Sequence, residues 1–298
     1  MTSVITSDAA SLRGIAMGAG AYSLFAFHDA LIKGIIMDVP VVQIVFLRSV
    51  VIVVGCLALS RGAVVADLKR SSGKGLILLR AGLTLAAWCM YYTMGRYLEL
   101  AAMTTLYYVA PVITLILAVI FLRERLTLPR VSAAILGFVG VVVACNPATL
   151  NIAWPELFVL GAAALWACAM IVMRSIPRTD SALAQIFGIN GFNVLVMGAV
   201  AALTWQPMDL RTLSIVVITG AMGGAAQYLL VNAARLVPAG VLGTVEYSAL
   251  VWAFLFGYLF WHEIPALYVY VGAVLIVAAG AFVAFSEQRR RGAIIETP

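Results

Sequence analysis

Long apolar runs separated by short polar breaks fill almost the whole chain. Ten of them, near 14–36, 41–60, 75–95, 99–122, 129–146, 155–174, 182–204, 212–235, 240–261 and 265–285, come close to the ~20 residues a helix needs to cross a bilayer core. None shows the period-two alternation of a lipid-facing strand, so the expected fold class is an all-α integral membrane protein with ten transmembrane helices. The breaks carry the residues that end helices. Pro40, Pro129, Pro155 and Pro265 stand at span starts, where proline costs no helical hydrogen bond. The Arg61–Lys74 break, including Asp67–Lys74, is expected to be a solvated loop. The fourth run, Ala101–Glu124, holds a polar-aromatic cluster (Thr104, Thr105, Tyr107, Tyr108), then Pro111, then an apolar stretch ending at Arg123-Glu124.

That fourth run has a second copy, Gly240–Glu263, at an offset of 139 residues. Thr105 aligns with Thr244, Tyr108 with Tyr247, Ala110 with Ala249, Val112 with Val251, Phe121 with Phe260, Glu124 with Glu263 and, upstream, Arg96 with Arg235. Tyr107 aligns with Glu246. The first and sixth runs correspond at an offset of 141, which pairs Leu24 with Leu165, Phe25 with Trp166 and Lys33 with Arg174. The chain therefore divides into a first repeat at 1–147 with spans 1–5, a second at 148–286 with spans 6–10, and a tail at 287–298. Five spans per repeat is an odd number, so consecutive repeats cross the membrane in opposite senses, an inverted-topology arrangement typical of secondary transporters.

Composition agrees with a lipid environment. Of 298 residues 64% are hydrophobic and 11% charged, against about 25% charged in soluble domains, and the mean hydropathy is +1.06. Placing the N-terminus in the cytoplasm puts fourteen Lys and Arg on the inner side and only Lys33, Arg96 and Arg211 outside; both termini are thus expected to be cytoplasmic. The net charge of +6 is spread over short loops, which gives no nucleic-acid face. The first dozen residues are polar and the run after them is longer than a signal h-region, so a retained first span is expected rather than a cleaved leader. Cys56, Cys89, Cys145 and Cys168 lie in apolar runs without metal-ligand spacing and read as small hydrophobes. No metal site and no cofactor is expected, and no Walker A, nucleophile elbow or Rossmann fingerprint occurs.

Charges inside a bilayer are costly and mark pathways or buried pairs. Asp29, next to His28 in span one, and Arg48 in span two lie at similar depth and are expected to form a buried ion pair or gate. Glu246 is an acid well inside the second half; a carboxyl there suits a cationic or amino group, or proton coupling. Polar and aromatic residues within spans complete the expected cavity wall: His28, Trp88, Tyr92, Tyr108, Trp166, Asn190, Gln227, Tyr228, Glu246 and Tyr247, an apolar pocket with a few polar groups. Tyr91 and Tyr107 belong to the same aromatic group. Gly95, Pro111, Gly223, Gly224 and Gly240 are candidate hinges. Gly220 to Ala226 forms a small-residue face suited to close helix approach. Arg80, one turn from the inner boundary, is expected to snorkel.

Ten spans in a five-plus-five repeat, Phe46-Leu47-Arg48, Tyr108 to Pro111, Ala164-Leu165-Trp166, Phe121-Leu-Arg-Glu124 and Glu263 closing span nine resemble the drug/metabolite transporter superfamily, in particular its EamA family. Within that family the chain is similar to the YddG-type amino-acid exporters. It departs from the family pattern at Phe25, where the first copy often has Trp, and at Leu250, where the second copy often has Pro. The resemblance implies a multi-pass protein of the bacterial inner membrane that exports small metabolites, most readily amino acids including aromatic ones, by alternating access. A drug or other metabolite exporter of the same fold is the alternative, with a solute channel and a membrane-embedded enzyme as rival classes. The expected partners are a small-molecule substrate and the lipid bilayer, and nothing in the sequence calls for more than a monomer.

Overall fold

The computed structural model describes residues 2–122, 128–144, 153–237, 242, 245–246 and 248–295. Among them the ordered elements are all helices: α1 (Thr2–Lys33), α2 (Val41–Leu59), α3 (Ala63–Arg70), α4 (Lys74–Met94), α5 (Leu100–Tyr107), α6 (Ala110–Leu122), α7 (Leu128–Ala144), α8 (Trp154–Ser175), α9 (Ala182–Thr204), α10 (Leu210–Leu236), α11 (Ser248–Trp261) and α12 (Leu267–Ile295). Seven helical segments are long and apolar enough to cross a membrane: Leu12–Lys33, Val41–Leu59, Lys74–Met94, Leu100–Phe121, Trp154–Ser175, Ala182–Thr204 and Leu210–Leu236. Shorter apolar helices run over Ile135–Ala144, Ser248–Trp261 and Leu267–Ala279. Hydrophobic side chains face outward along most of them, Leu195, Val251 and Val274 among them. That is the surface a lipid solvent requires.

Local chemistry sets several boundaries. Pro40 precedes α2, and Pro155 sits in the first turn of α8. Ser181 and Asp209 cap α9 and α10 by accepting the backbone N–H of Ala184 (3.0 Å) and Thr212 (2.9 Å). The fourth run is not one continuous helix. Tyr108 and Val109 form a turn between α5 and α6, three residues ahead of Pro111. The proline ring clashes with the carbonyl four residues back, that of Tyr107, and cannot supply the N–H that would bond it; α5 ends at that residue.

Two expectations need correction. Residues 63–70 are not a loop but the short helix α3, which begins after Gly62 reverses the chain at φ 83°. Val64 is buried, and Leu68 packs beside Gly188 of α9. Arg80 does not snorkel. It is 3% exposed and its Nη1 donates to Gln185 Oε1 at 3.4 Å.

Packing joins the two halves of the chain helix by helix. α1 packs on α10, and α4 on α8; α2 lies on α9, and α7 on α12. α1 also meets α11, and α6 meets α8. Exchanging the first five runs for the second five carries the α1–α10 contact into α4–α8 and the α1–α11 contact into α6–α8, and returns α2–α9 and α7–α12 to themselves. α7 crosses α12 closely where Gly140 and Gly272 bring the backbones together.

Candidate functional site

The interior holds a cavity with about 680 Å³ of empty space, walled by α1, α4, α5, α8, α11 and Glu246. Helix α1 presents Tyr22, Phe25, Ala26 and Asp29, which recur at three- and four-residue spacing and share one face. Helix α4 adds Trp88, Tyr91 and Tyr92; α5 and the turn after it add Leu100, Thr104, Tyr107 and Tyr108. Trp166 of α8 and the small residues Ala249 and Ala253 of α11 complete it.

The aromatic rings interlock. Phe25 meets Trp166 edge-on, with centroids 6.4 Å apart; Tyr107 lies 6.5 Å from Trp166 and 5.0 Å from Tyr91. Polar groups are few and fixed. Tyr91 Oη bonds Thr104 Oγ1 at 3.2 Å, while Thr104 returns its own proton to Leu100 O. Tyr22 Oη donates to Glu246 Oε2 at 3.2 Å, and Tyr108 Oη donates to the Glu246 backbone oxygen at 2.8 Å. The Trp166 indole N–H lies near Glu246 but forms no hydrogen bond of normal geometry.

Asp29 and Arg48 do not form the direct ion pair the sequence suggests. Arg48 is 1% exposed, stacks on the Trp88 ring at 4.3 Å, and donates through Nη1 to His28 Nε2 (3.0 Å) and to Tyr92 Oη (3.1 Å). A guanidinium only donates, so His28 Nε2 must accept. Its Nδ1 then carries the proton and donates to Asp29 Oδ1 at 3.0 Å. Tyr92 Oη likewise passes its proton to Asp29 Oδ1, at 3.3 Å. Two donor chains, through His28 and through Tyr92, converge on one carboxylate oxygen. The negative charge faces the cavity, with the Asp29 side chain 24% exposed, and the positive charge stays one layer behind the wall. Among the described residues no Lys or Arg lines the cavity.

The structure therefore gathers Trp88, Tyr92, Tyr108, Trp166 and Glu246 around one space, with Asp29. It places His28 behind Asp29 rather than in the wall. Asn190 and Gln227 are bonded to each other at 3.0 Å between α9 and α10, away from the cavity lining. Tyr228, 43% exposed, points out of the bundle. Tyr247 and Gly240 lie outside the described residues. Sequence reasoning missed Tyr22, Phe25 and Thr104 as wall residues; the signal was their spacing from Asp29 on α1 and from Tyr107 and Tyr108 on α5. Of the candidate hinges, Pro111 adjoins the break after Tyr107. Gly95 ends α4 against Ile36. Gly223 and Gly224 lie in unbroken helix, where they admit His28 and Ile52 to close contact. Among the described residues no group of three His, Cys, Asp or Glu is placed to hold a metal ion.

Beside Leu100 of the cavity wall, a charged contact ties the end of α1 to the start of α5. Lys33 at the end of α1 pairs with Glu263 Oε1 and donates to Leu98 O at 3.2 Å; Glu263 Oε2 accepts the Leu100 N–H at 2.9 Å. His262, at φ 53°, sits at the end of α11 just before Glu263.

A bundle of apolar helices around an aromatic cavity lined from both halves of the chain is the build of a multi-pass membrane transporter. The chain belongs to the EamA-like transporter family, whose pattern it matches twice, at residues 12–145 and 153–285. This is a family of transporters, not of enzymes. The chain is 29% identical over 186 residues to a Rickettsia bellii protein named S-adenosylmethionine uptake transporter, covering 62% of this chain and 64% of that one. A Rhizobium johnstonii riboflavin transporter is 29% identical over 188 residues, 61% and 60% of the two chains. An uncharacterized transporter of Helicobacter pylori is 27% identical over 212 residues, 67% and 70%. The matches to the Rickettsia and Rhizobium relatives thus span under two thirds of their length. A solved crystal structure superposes with a TM-score of 0.69 at 17% identity, covering 95% of this chain and 98% of the other.

Proposed function

We propose that this chain is an alternating-access secondary carrier of the bacterial inner membrane, with ten spans in an inverted five-plus-five repeat, that moves a small metabolite bearing both an aromatic ring and a cationic or amino group. The observation that carries the reading is the cavity wall: interlocked aromatic rings with two carboxylates, Asp29 and Glu246, and, among the described residues, no lining Lys or Arg. Aromatic faces attract cations, and a carboxylate in a poorly hydrated site favours a positive partner strongly. The exchange-invariant pairing of helices supports a pseudo-two-fold relation between the halves.

Two substrate readings follow. S-adenosylmethionine, the compound in the Rickettsia relatives' name, carries a sulfonium, an amine and a purine, and each has a counterpart in this wall. Aromatic amino acids, moved outward as in the YddG-type exporters, supply the ring and the ammonium; their carboxylate would rely on the Trp166 N–H. Riboflavin, in the name of the Rhizobium relative, has the flat ring system without the cation.

Proteoliposomes containing the purified chain test the proposal. They are preloaded with unlabelled compound, and labelled S-adenosylmethionine, tryptophan and riboflavin are followed with and without a pH gradient. Trans-stimulated uptake of a cation-bearing aromatic compound is the expected outcome. The variant Glu246→Gln should weaken it by about 10- to 150-fold, the worth of one hydrogen bond to a charged group, and leave any riboflavin flux unchanged. Flux without trans-stimulation would mean a channel. Uptake confined to neutral or anionic compounds would overturn the cationic reading.

A further inference from the structure

A second cavity, independent of what the central one carries, lies at the opposite end of the bundle from the Lys33–Glu263 pair. It has about 650 Å³ of empty space, bounded by Arg174 in the last turn of α8, Arg178 in the link to α9, Gln185 in the first turns of α9 and Arg235 in the last turn of α10. Among the described residues no carboxylate lines it. The nearest acid by sequence, Asp180, is turned away: its Oδ2 accepts Ser71 Oγ at 2.6 Å and the Gly73 N–H at 3.2 Å, and only its backbone oxygen meets Arg235. Behind Gln185 stands Arg80, whose Nη1 holds the amide oxygen at 3.4 Å. That leaves the NH2 end of Gln185 as a donor. Arg80 is itself buried, and its Nε has no partner among the described residues.

Arginines in the last turns of α8 and α10 complement the negative ends of those helices. That accounts for Arg174 and Arg235 separately. It does not account for Arg178, which belongs to no helix, nor for the space the three enclose, nor for a buried Arg80 whose hydrogen-bond partner is neutral. Convergent guanidinium groups around a hollow match the tetrahedral, multiply accepting oxygens of a phosphate group. We propose that this pocket binds a phosphate-bearing anion. A pocket between helices on the side of the bundle richest in Lys and Arg is where an anionic phospholipid headgroup would seat; a free phosphate compound of the cytoplasm presents the same oxygens.

The full chain, purified in neutral detergent at low salt, tests this in two arms. One titrates cardiolipin and phosphatidylglycerol and counts bound lipid by native mass spectrometry. The other titrates inorganic pyrophosphate and follows the thermal midpoint. The variants are Arg178→Gln and Arg178→Lys; Arg178 is exposed and makes no bond within the protein among the described residues, so both retain the fold. Saturable binding is expected in one arm or both, weakened about fivefold by R178Q and largely kept by R178K, since one cation near an anionic headgroup is worth about that factor. Loss in the lipid arm names a headgroup as the source; loss in the pyrophosphate arm names a soluble anion. Absence of saturable binding in both arms, or binding equal in R178Q and the parent chain, overturns the proposal.

Discussion

Glu263→Gln should loosen the contact by which Lys33 and Glu263 tie the end of α1 to the start of α5. The carboxylate acts there as a double acceptor: Oε1 takes the Lys33 ammonium and Oε2 takes the Leu100 N–H at 2.9 Å, with side-chain exposures of 10% for Lys33 and 14% for Glu263. Glutamine has the same shape but only one acceptor oxygen. Whichever way the amide turns, its NH2 faces another donor, so one charge-assisted hydrogen bond is lost, at about 1.5–3 kcal/mol. Lys33 keeps Leu98 O and its place over the Trp261 ring, 5.5 Å away, which is why the contact should weaken without collapsing. A loss of that size is about a 10- to 150-fold change in the ratio of closed to open forms. Amide exchange reads it directly, because the Leu100 N–H is freed when Glu263 moves. Its protection should fall by that factor, while Ile77, bonded to Gly73 O at 2.9 Å at the other end of α4, stays unchanged. Leu100 protection within about threefold of the parent chain, roughly 0.6 kcal/mol, in a variant with normal Ile77 protection, would refute the assignment of this pair as the contact that ties the two helices.

Other expectations concern packing and charge. A methyl group at Gly272 would meet Gly140 O at 2.5 Å and Ala144 Cβ at 2.7 Å, whereas one at Gly191 meets nothing within 4 Å. Gly272→Ala should therefore cost about 1–3 kcal/mol and Gly191→Ala should be neutral or stabilising by up to about 1 kcal/mol, read as opposite shifts of the thermal midpoint in detergent. Arg48→Met leaves His28 Nε2 without its donor and Tyr92 Oη without one of its two bonds, at about 1–3 kcal/mol for each group left unsatisfied; lowered midpoint and lowered transport are expected, and full retention of both would show the network to be dispensable. At the start of α10, the Thr212 side chain and then its backbone N–H, both donating toward the Asp209 carboxyl, hold it below the usual carboxylate range. A folded-state pKa below the unfolded value means the cap's contribution is present above about pH 4 and is lost as pH falls through the folded pKa. The protection of the Thr212 N–H relative to its intrinsic exchange rate should fall on acidification below that point, and that fall should be absent in Asp209→Asn.

The spans were legible because lipid imposes one demand, a run of apolar residues long enough to bury every backbone group. The break after Tyr107 was legible from Pro111. Helix α3 was not: its eight residues are mostly polar or small, and it is held by Val64 and Leu68 packing rather than by any long apolar run. The depth match of Asp29 and Arg48 was readable from counting, but the insertion of His28 and Tyr92 between them depends on the rotation of α1 and α4, which counting does not give. Tyr228 illustrates the same gap. It follows Gln227, which is 5% exposed, but one residue along a helix turns by about 100°. In a soluble helix the polar face would reveal which of the two points inward; in lipid both faces are apolar, so the period fades.

The repeat explains where the cavity lies and why it is chemically lopsided. Residues related by a two-fold axis touch one another only close to that axis. Phe25 and Trp166, aligned between the first and sixth runs, are in edge contact at 6.4 Å. Tyr107 and Glu246, aligned between the fourth and ninth, face the same cavity. The cavity thus sits where the two halves meet. A strictly symmetric wall would present the same groups from each side and give a substrate no preferred orientation. Here one aligned position holds a phenol and the other a carboxylate, Pro111 is matched by Leu250, and Tyr108 reaches across to the Glu246 carbonyl. An amine drawn to Glu246 would leave its ring against Tyr107, Tyr91 and Trp166. In the proposed reading, the divergence of these two aligned positions is what would orient the substrate.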